Sequence, residues 1–177
     1  MEKEMSDYIK YEVRVYANGD KVWFLNGKCH REDGPACEHF CGNKAWYING
    51  KLHRIDGPAL EYANGSKYWY KNGEYHREDG PAKEYANGDK SWYLNGKLHR
   101  EDGPAIEFAD GNKHWYLNGK LHREDGPAVE YANGAKYWFI NDIEYTEADF
   151  KKEIAKSPCE GKIVEIDGKK YTLTSVN

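Results

Sequence analysis

Long apolar runs are missing from this 177-residue chain. No stretch approaches the roughly 20 apolar residues that a membrane-spanning helix needs. The opening MEKEMSDYIKYEVRVY also lacks an apolar run of signal-peptide length, so the expectation is a cytoplasmic protein. Aliphatics are scarce. Leu, Ile, Val and Phe together number 28 of 177, a share found in disordered chains. Disorder goes with high net charge, however, and here 26 Lys and Arg nearly balance 30 Asp and Glu. No basic excess is present either, which argues against direct nucleic-acid binding, because phosphate neutralisation needs clustered cations. Four cysteines (Cys29, Cys37, Cys41, Cys159) in a cytoplasmic chain read as free thiols rather than disulfides.

What the chain does have is aromatic residues, 15 Tyr and 6 Trp. Each hides roughly 150–250 Å² when buried, so a folded protein with a thin aromatic core is expected. The tryptophans are not scattered. Trp23, Trp46, Trp69, Trp92, Trp115 and Trp138 stand 23 residues apart. His30, His53, His76, His99 and His122 keep the same step, as do five Asp-Gly-Pro triplets, and Tyr145 stands where the next His would fall. The stretch WYLNGKLHREDGPA occurs unchanged at 92–105 and 115–128. A fixed period of this kind is the sign of a repeat architecture.

Asn-Gly between alternating apolar residues marks a two-residue hairpin. Each full unit has two such places, for example Asn95-Gly96 and Asn87-Gly88. Taking the first as a type I′ turn pairs Leu94 with Lys97, Tyr93 with Leu98 and Trp92 with His99. Strand alternation then puts Trp92, Leu94 and His99 on one face and Tyr93, Leu98 and Arg100 on the other. The same rule at the second turn pairs Tyr85 with Lys90 and places both on the Trp side. Asp-Gly-Pro cannot continue a central strand. Two strands per unit follow, a straight one through the Trp and a longer one bent at Asp-Gly-Pro. The fold class is mainly β: an elongated single-sheet antiparallel meander of about a dozen strands, on the order of 60 Å long.

His, Arg, Glu and Asp in one motif suggest catalysis, but an enzyme gains little from five copies of a site along a rod. A repeat must satisfy the same buried groups at every step. Each His is therefore expected to hydrogen-bond a neighbouring backbone while stacking on its Trp, with Arg and Asp tying down the turn. No catalytic residues, metal ligands or cofactor follow from this reading. In the irregular second unit, Cys29-His30 and CEHFC (residues 37–41) offer Cys and His together. Alternation spreads Cys37, His39 and Cys41 along one face of a strand, too extended for tetrahedral closure on zinc.

The 23-residue step, the aromatic strand before Asn-Gly-x-x-His and the Tyr-Ala-Asn/Asp-Gly segment resemble MORN repeats. They resemble more closely the MORN-variant arrays with WYLNGKxHRxDGPA units found in bacterial, phage and large-virus proteins. The likeness covers about residues 11–145, a partial unit plus five to six repeats. It departs from standard MORN repeats in lacking a Gly-Glu-Trp triplet and in replacing His-Gly-x-Gly. It implies an elongated sheet used for protein contacts, and in a phage, an inhibitor of a host protein.

Comparing units separates framework from free positions. The residue before Trp varies (Val22, Ala45, Tyr68, Ser91, His114, Tyr137), as does the one after Gly-Pro-Ala (Cys37, Leu60, Lys83, Ile106, Val129). Tyr68, His114, Tyr137, Lys83 and Ile106 are the candidate binding residues for a protein partner, and alternation places Tyr68, His114 and Tyr137 together on the Tyr93 face as an aromatic stripe. Hairpins of about twenty residues rich in Trp-Tyr and Asn-Gly also occur in choline- and glucan-binding repeats, which leaves ligand binding as an alternative. An acidic nucleic-acid mimic is a third, weakened by the interspersed Lys and Arg. After Ile143 the pattern stops. Residues 146–177 read as a cap: a helix over about 147–156 begun by Thr146 and ending before Pro158, then a hairpin around Asp167-Gly168 with Ile163, Val164, Ile166, Tyr171 and Leu173 as strand residues. Such a cap closes the sheet edge or makes a dimer contact.

Overall fold

A computed structural model describes residues 10–156, 163–166 and 169–172. Its main feature is a 14-stranded antiparallel sheet. Thirteen strands follow one another in chain order: Glu12–Val15, Lys21–Leu25, Cys37–Glu38, Lys44–Ala45, Leu60–Glu61, Lys67–Tyr68, Lys83–Glu84, Lys90–Ser91, Ile106–Glu107, Lys113–His114, Val129–Glu130, Lys136–Ile140 and Ile143–Tyr145. The fourteenth, Lys28–Cys29, pairs with Lys21–Leu25. The meander is the expected one, with a difference in its segmentation. Each full unit contributes four short segments rather than two strands, because both of its chains break at the tryptophan level. Trp92 N–H donates to Ala105 O (2.8 Å) in the row, and Trp92 O accepts from His99 N–H (3.1 Å) beyond it.

Past this break each unit makes a small hairpin, such as Tyr93–Leu94 with Lys97–Leu98. Successive hairpins are tied to one another by two backbone bonds, Arg100 N–H to Tyr116 O (3.1 Å) and Gly119 N–H to Leu98 O (2.8 Å). The registers Tyr93↔Leu98 and Leu94↔Lys97 are those expected. Asn95 (φ 50°) and Gly96 (φ 75°) both adopt left-handed backbone, as a type I′ turn requires.

The second Asn-Gly turn behaves differently. Tyr85 N–H donates to Asp89 O (3.0 Å), and Gly88 N–H to Tyr85 O (2.9 Å), while Glu84, not Tyr85, faces Lys90. This is a three-residue loop in which Gly88 (φ 94°) alone is left-handed. Asn87 turns its Oδ1 onto Asp89 N–H (3.1 Å), which favours the longer loop. The extra residue reverses Tyr85, which lies against Tyr68 on the face opposite Trp92.

The buried centre is made of small groups. Ala36, Ala59, Ala82, Ala105 and Ala128 are all 0% exposed, and among the described residues no large side chain is fully buried. The tryptophans are half-buried, a correction to the reading of them as interior. A single-layer sheet has no second layer to enclose an indole, so each ring is covered from one side only.

At the far end Glu147–Ala155 forms the expected helix, with Thr146 accepting from Asp149 N–H (3.2 Å). Phe150 is buried and the helix packs on Lys136–Ile140 and Ile143–Tyr145, the last two strands of the row. Its Ile154 remains 40% exposed. Ile163–Ile166 and Lys169–Thr172 pair as a hairpin; Pro158, the Asp167-Gly168 turn and Leu173 lie outside the described residues. Among the described residues no helix is long and apolar enough to cross a membrane.

Candidate functional site

On the Trp face, one arrangement recurs five times. The hairpin strand ends at Leu98, so alternation no longer governs Arg100. Its guanidinium folds back over the Trp92 ring, 4.1 Å from the centroid. Nε donates to Asp102 Oδ1 (2.8 Å), and Nη1 to Pro104 O (3.2 Å) and to Glu107 Oε1 (2.8 Å). Arg31, Arg54, Arg77 and Arg123 repeat these contacts on Trp23, Trp46, Trp69 and Trp115. The expectation that Arg100 lies across the sheet from Trp92 is thus overturned, and Arg, not His, occupies the indole face. Gly103 is part of the same arrangement, since a Cβ there would meet Arg100 Cζ at 2.9 Å. Each Asp (Asp33, Asp56, Asp79, Asp102, Asp125) has its carboxyl held below the usual carboxylate range by the hydrogen bond from its Arg.

The histidines join one unit to the next. Asn118 N–H donates to His99 Nδ1 (3.2 Å), and His30, His53, His76 and His122 accept likewise from Asn49, Asn72, Asn95 and Asn141. The backbone bond expected of each His is therefore present, and it goes to the following unit. A second tie between units was missed. The residue after the second turn's glycine (Asn-Gly, Asp-Gly or, in the irregular unit, Cys-Gly) accepts from the next unit's turn: Asp20 from Phe40 N–H, Asn43 from Ala63, Ser66 from Ala86, Asp89 from Ala109, Asn112 from Ala132, at 2.7–3.0 Å. The signal was in the sequence. All five positions carry a short oxygen acceptor, and the sixth, after which no unit follows, is Ala135.

The other face is unlike this one. Cross-strand partners run in a single unbroken line: Val22, Cys37, Ala45, Leu60, Tyr68, Lys83, Ser91, Ile106, His114, Val129, Tyr137. These are the positions before Trp and after Gly-Pro-Ala, the two that change character most between units. One residue further along each strand, on the Trp face, the line alternates Lys and Glu, as in Glu84, Lys90, Glu107, Lys113 and Glu130. All five candidate binding residues thus share one face and one line.

Aromatic rings flank that line. Tyr68 contacts Tyr62 (5.2 Å), Tyr85 (5.3 Å) and Tyr75 (6.3 Å) edge-on. His114 contacts Phe108 (5.3 Å) and Tyr131 (5.9 Å), and Tyr131 contacts Tyr137 (5.9 Å). Ser91 separates the two groups, and a cavity of about 150 Å³ opens around Ala45, bordered by Cys37, Tyr47, Leu60 and Tyr62. Tyr62, Tyr131 and Tyr137 remain 36–43% exposed. His114 Nε2 is buried with no hydrogen-bond partner among the described residues, and burial pushes its pKa below the ordinary histidine value.

In the irregular unit, CEHFC does not lie along one strand face. His39 N–H bonds Asn43 O and Gly42 N–H bonds His39 O, so Phe40 and Cys41 sit in the turn, exposed. His39 Nδ1 goes to Asp20 Oδ2 (3.1 Å), and Cys37 neighbours Cys29 instead. On the Trp face, four open grooves of about 640–760 Å³ lie between successive His-Arg-Glu/Ile-Asp-Gly-Pro loops, each bordered by a Trp and a His. No protein-family model matches the chain, and no curated protein matches it either.

Proposed function

We propose that this chain is a non-enzymatic protein-binding module of the MORN-variant kind, which meets its partner with the tyrosine-lined face. One observation carries the reading: the two positions that change character most between units, before Trp and after Gly-Pro-Ala, line up rung after rung on a single face, opposite the recurring Trp and Arg. Variation concentrated on one line, beside a framework that holds itself together from behind, is what a recognition surface needs. Tyrosine at such a surface supplies contact area at little entropic cost. The groups that first suggest catalysis are engaged elsewhere. Every Arg and Asp of the motif is paired within its own unit, and every His holds the next one. A face of this kind acts by covering a partner's surface, and inhibition of a host protein by a phage-encoded chain is the biological role that fits it.

The test is partner capture from lysate of the native host, with Ile106→Glu and Tyr137→Lys on the tyrosine face and Lys90→Glu and Lys113→Glu on the other. Loss of capture with the first pair and retention with the second supports the reading. The reverse pattern refutes it. A second reading has its own observation, the four repeated Trp-bordered grooves. It predicts that choline or oligosaccharides quench tryptophan fluorescence in a saturable way, with Trp92→Leu removing the share of one groove in four.

A further inference from the structure

Along the line of varying residues, Lys83 is the one permanently charged side chain. It lies half-buried, with Nζ 3.9 Å from the Tyr75 ring centroid, 4.9 Å from Tyr93 and 6.0 Å from Tyr68. Among the described residues no carboxylate pairs with it, whereas all five framework arginines are paired twice over. The equivalent positions in neighbouring units are Leu60 and Ile106, so the framework has no need of a cation there. A half-buried ammonium among aromatic rings is partly compensated by their negative faces. Covering it with a partner and leaving it unpaired would be costly, because a desolvated charge requires an opposite one.

We propose that the partner is a protein that seats one aspartate or glutamate carboxylate on Lys83, with apolar or aromatic residues on either side of it to meet the tyrosines. The inference rests on the preceding assignment of the tyrosine face as the binding face. A nucleic acid does not fit the same site. Phosphate backbones are met by rows of cations, and the row of lysines in this protein lies on the opposite face, alternating with Glu84, Glu107 and Glu130. A single ammonium in an aromatic surround matches a single carboxylate.

The experiment is selection of a random peptide library on the full chain, followed by calorimetric titration of the best synthetic peptide against the parent, Lys83→Met, Tyr68→Ala, Ile106→Glu and Lys90→Met. Thermal melting checks that each variant is folded. The expected peptides carry Asp or Glu between apolar residues. Lys83→Met and replacement of that acid by its amide each weaken binding on the order of tenfold or more, and the two together weaken it little further, because they break the same contact. Lys90→Met has no effect. If Ile106→Glu and Tyr68→Ala abolish binding but Lys83→Met does not, the face assignment stands and the carboxylate proposal falls. If none of the tyrosine-face substitutions matters, or no peptide is selected, both fall. Concentration-dependent dimerisation that Lys83→Met abolishes would instead make the occupant a second copy, and would also overturn the proposal.

Discussion

Replacing Arg100 by alanine should destabilise the array by about 3 kcal/mol. The figure combines a cation–π contact near 1 kcal/mol, a hydrogen bond to Pro104 O of similar worth, and ion pairs discounted for exposure. The discount matters because Asp102 is 84% exposed and Glu107 36%, while Arg100 itself is 21% exposed. For a chain of this size, 3 kcal/mol corresponds to roughly 6–12 °C in melting temperature. Geometry makes the sharper forecast. The contacts use a planar fork that faces an indole and donates in two directions, which an ammonium cannot reproduce. Arg100→Lys should therefore recover less than half of the loss. Position along the array matters too, since an end unit can fray by itself while a central one is held from both sides. Arg77→Ala and Arg100→Ala should broaden or split the urea transition more than Arg31→Ala does. Urea unfolding followed by tryptophan fluorescence measures all of these. An Arg100→Lys variant within about 0.5 kcal/mol of the parent, the range of an ordinary surface substitution, would refute the argument, because charge alone would then suffice.

Three further outcomes are expected. Gly103→Ala should cost stability in the parent but much less in an Arg100→Ala background, because the added Cβ collides with the guanidinium; equal costs in a double-mutant cycle would disprove the contact. Asp102 has its folded-state pKa depressed by Arg100, so its contribution is present above the unfolded carboxylate range near 3.9 and is lost as pH falls through the lower folded value. Asp102→Asn should differ from the parent in urea midpoint at pH 7, and the difference should shrink as pH falls below the carboxylate range; a difference that does not change with pH would count against the pairing. The Cys37 thiol is pushed up to about 12 by burial, helped by its neighbour Cys29. Alkylation at pH 8 followed by peptide mapping should label exposed Cys41 well before Cys37, and the opposite order would contradict the placement of these side chains.

The period, the type I′ turns, the face shared by Trp92, Leu94 and His99, and the meander itself were all legible, because each follows from spacing or from turn chemistry that acts over a few residues. Errors began where a strand stopped. Alternation assigns Arg100 a face only if the strand continues past Leu98, and it does not. The Asn87-Gly88 turn was misjudged because a two-residue and a three-residue loop share the same Asn-Gly, and the choice depends on the Asn87 side chain bonding Asp89. The ties from Asp89 to Ala109 and from Asn112 to Ala132 needed a comparison between units rather than within one. The candidate binding residues were named from their variability, and alternation already put Tyr68, His114 and Tyr137 on one face, but bringing Lys83 and Ile106 into the same line depends on the kink at Asp-Gly-Pro that sets Ile106 beside Ser91 and His114, and no local rule gives that register.

A one-layer sheet faces a physical difficulty, since it has no opposing layer to bury its apolar groups. This chain meets the difficulty unevenly. On the Trp face each of the first five indoles is covered by an arginine from its own unit, and the His ties and the Asp, Asn or Ser ties fasten unit to unit, so cohesion depends on groups that recur in every unit. That leaves the other face free of structural duty at the positions before Trp and after Gly-Pro-Ala. Substitution of Leu60 by its counterparts Lys83 or Ile106 changes neither the clamp nor the ties. The same division accounts for how the array ends. Tyr145 stands in place of His and Ala135 in place of an acceptor where no following unit exists to receive a bond, and the helix carrying Phe150 covers the last strands instead. A partner that binds the tyrosine face would supply the layer the sheet lacks, and the number of units it spans would set the length of the contact without any change in the framework.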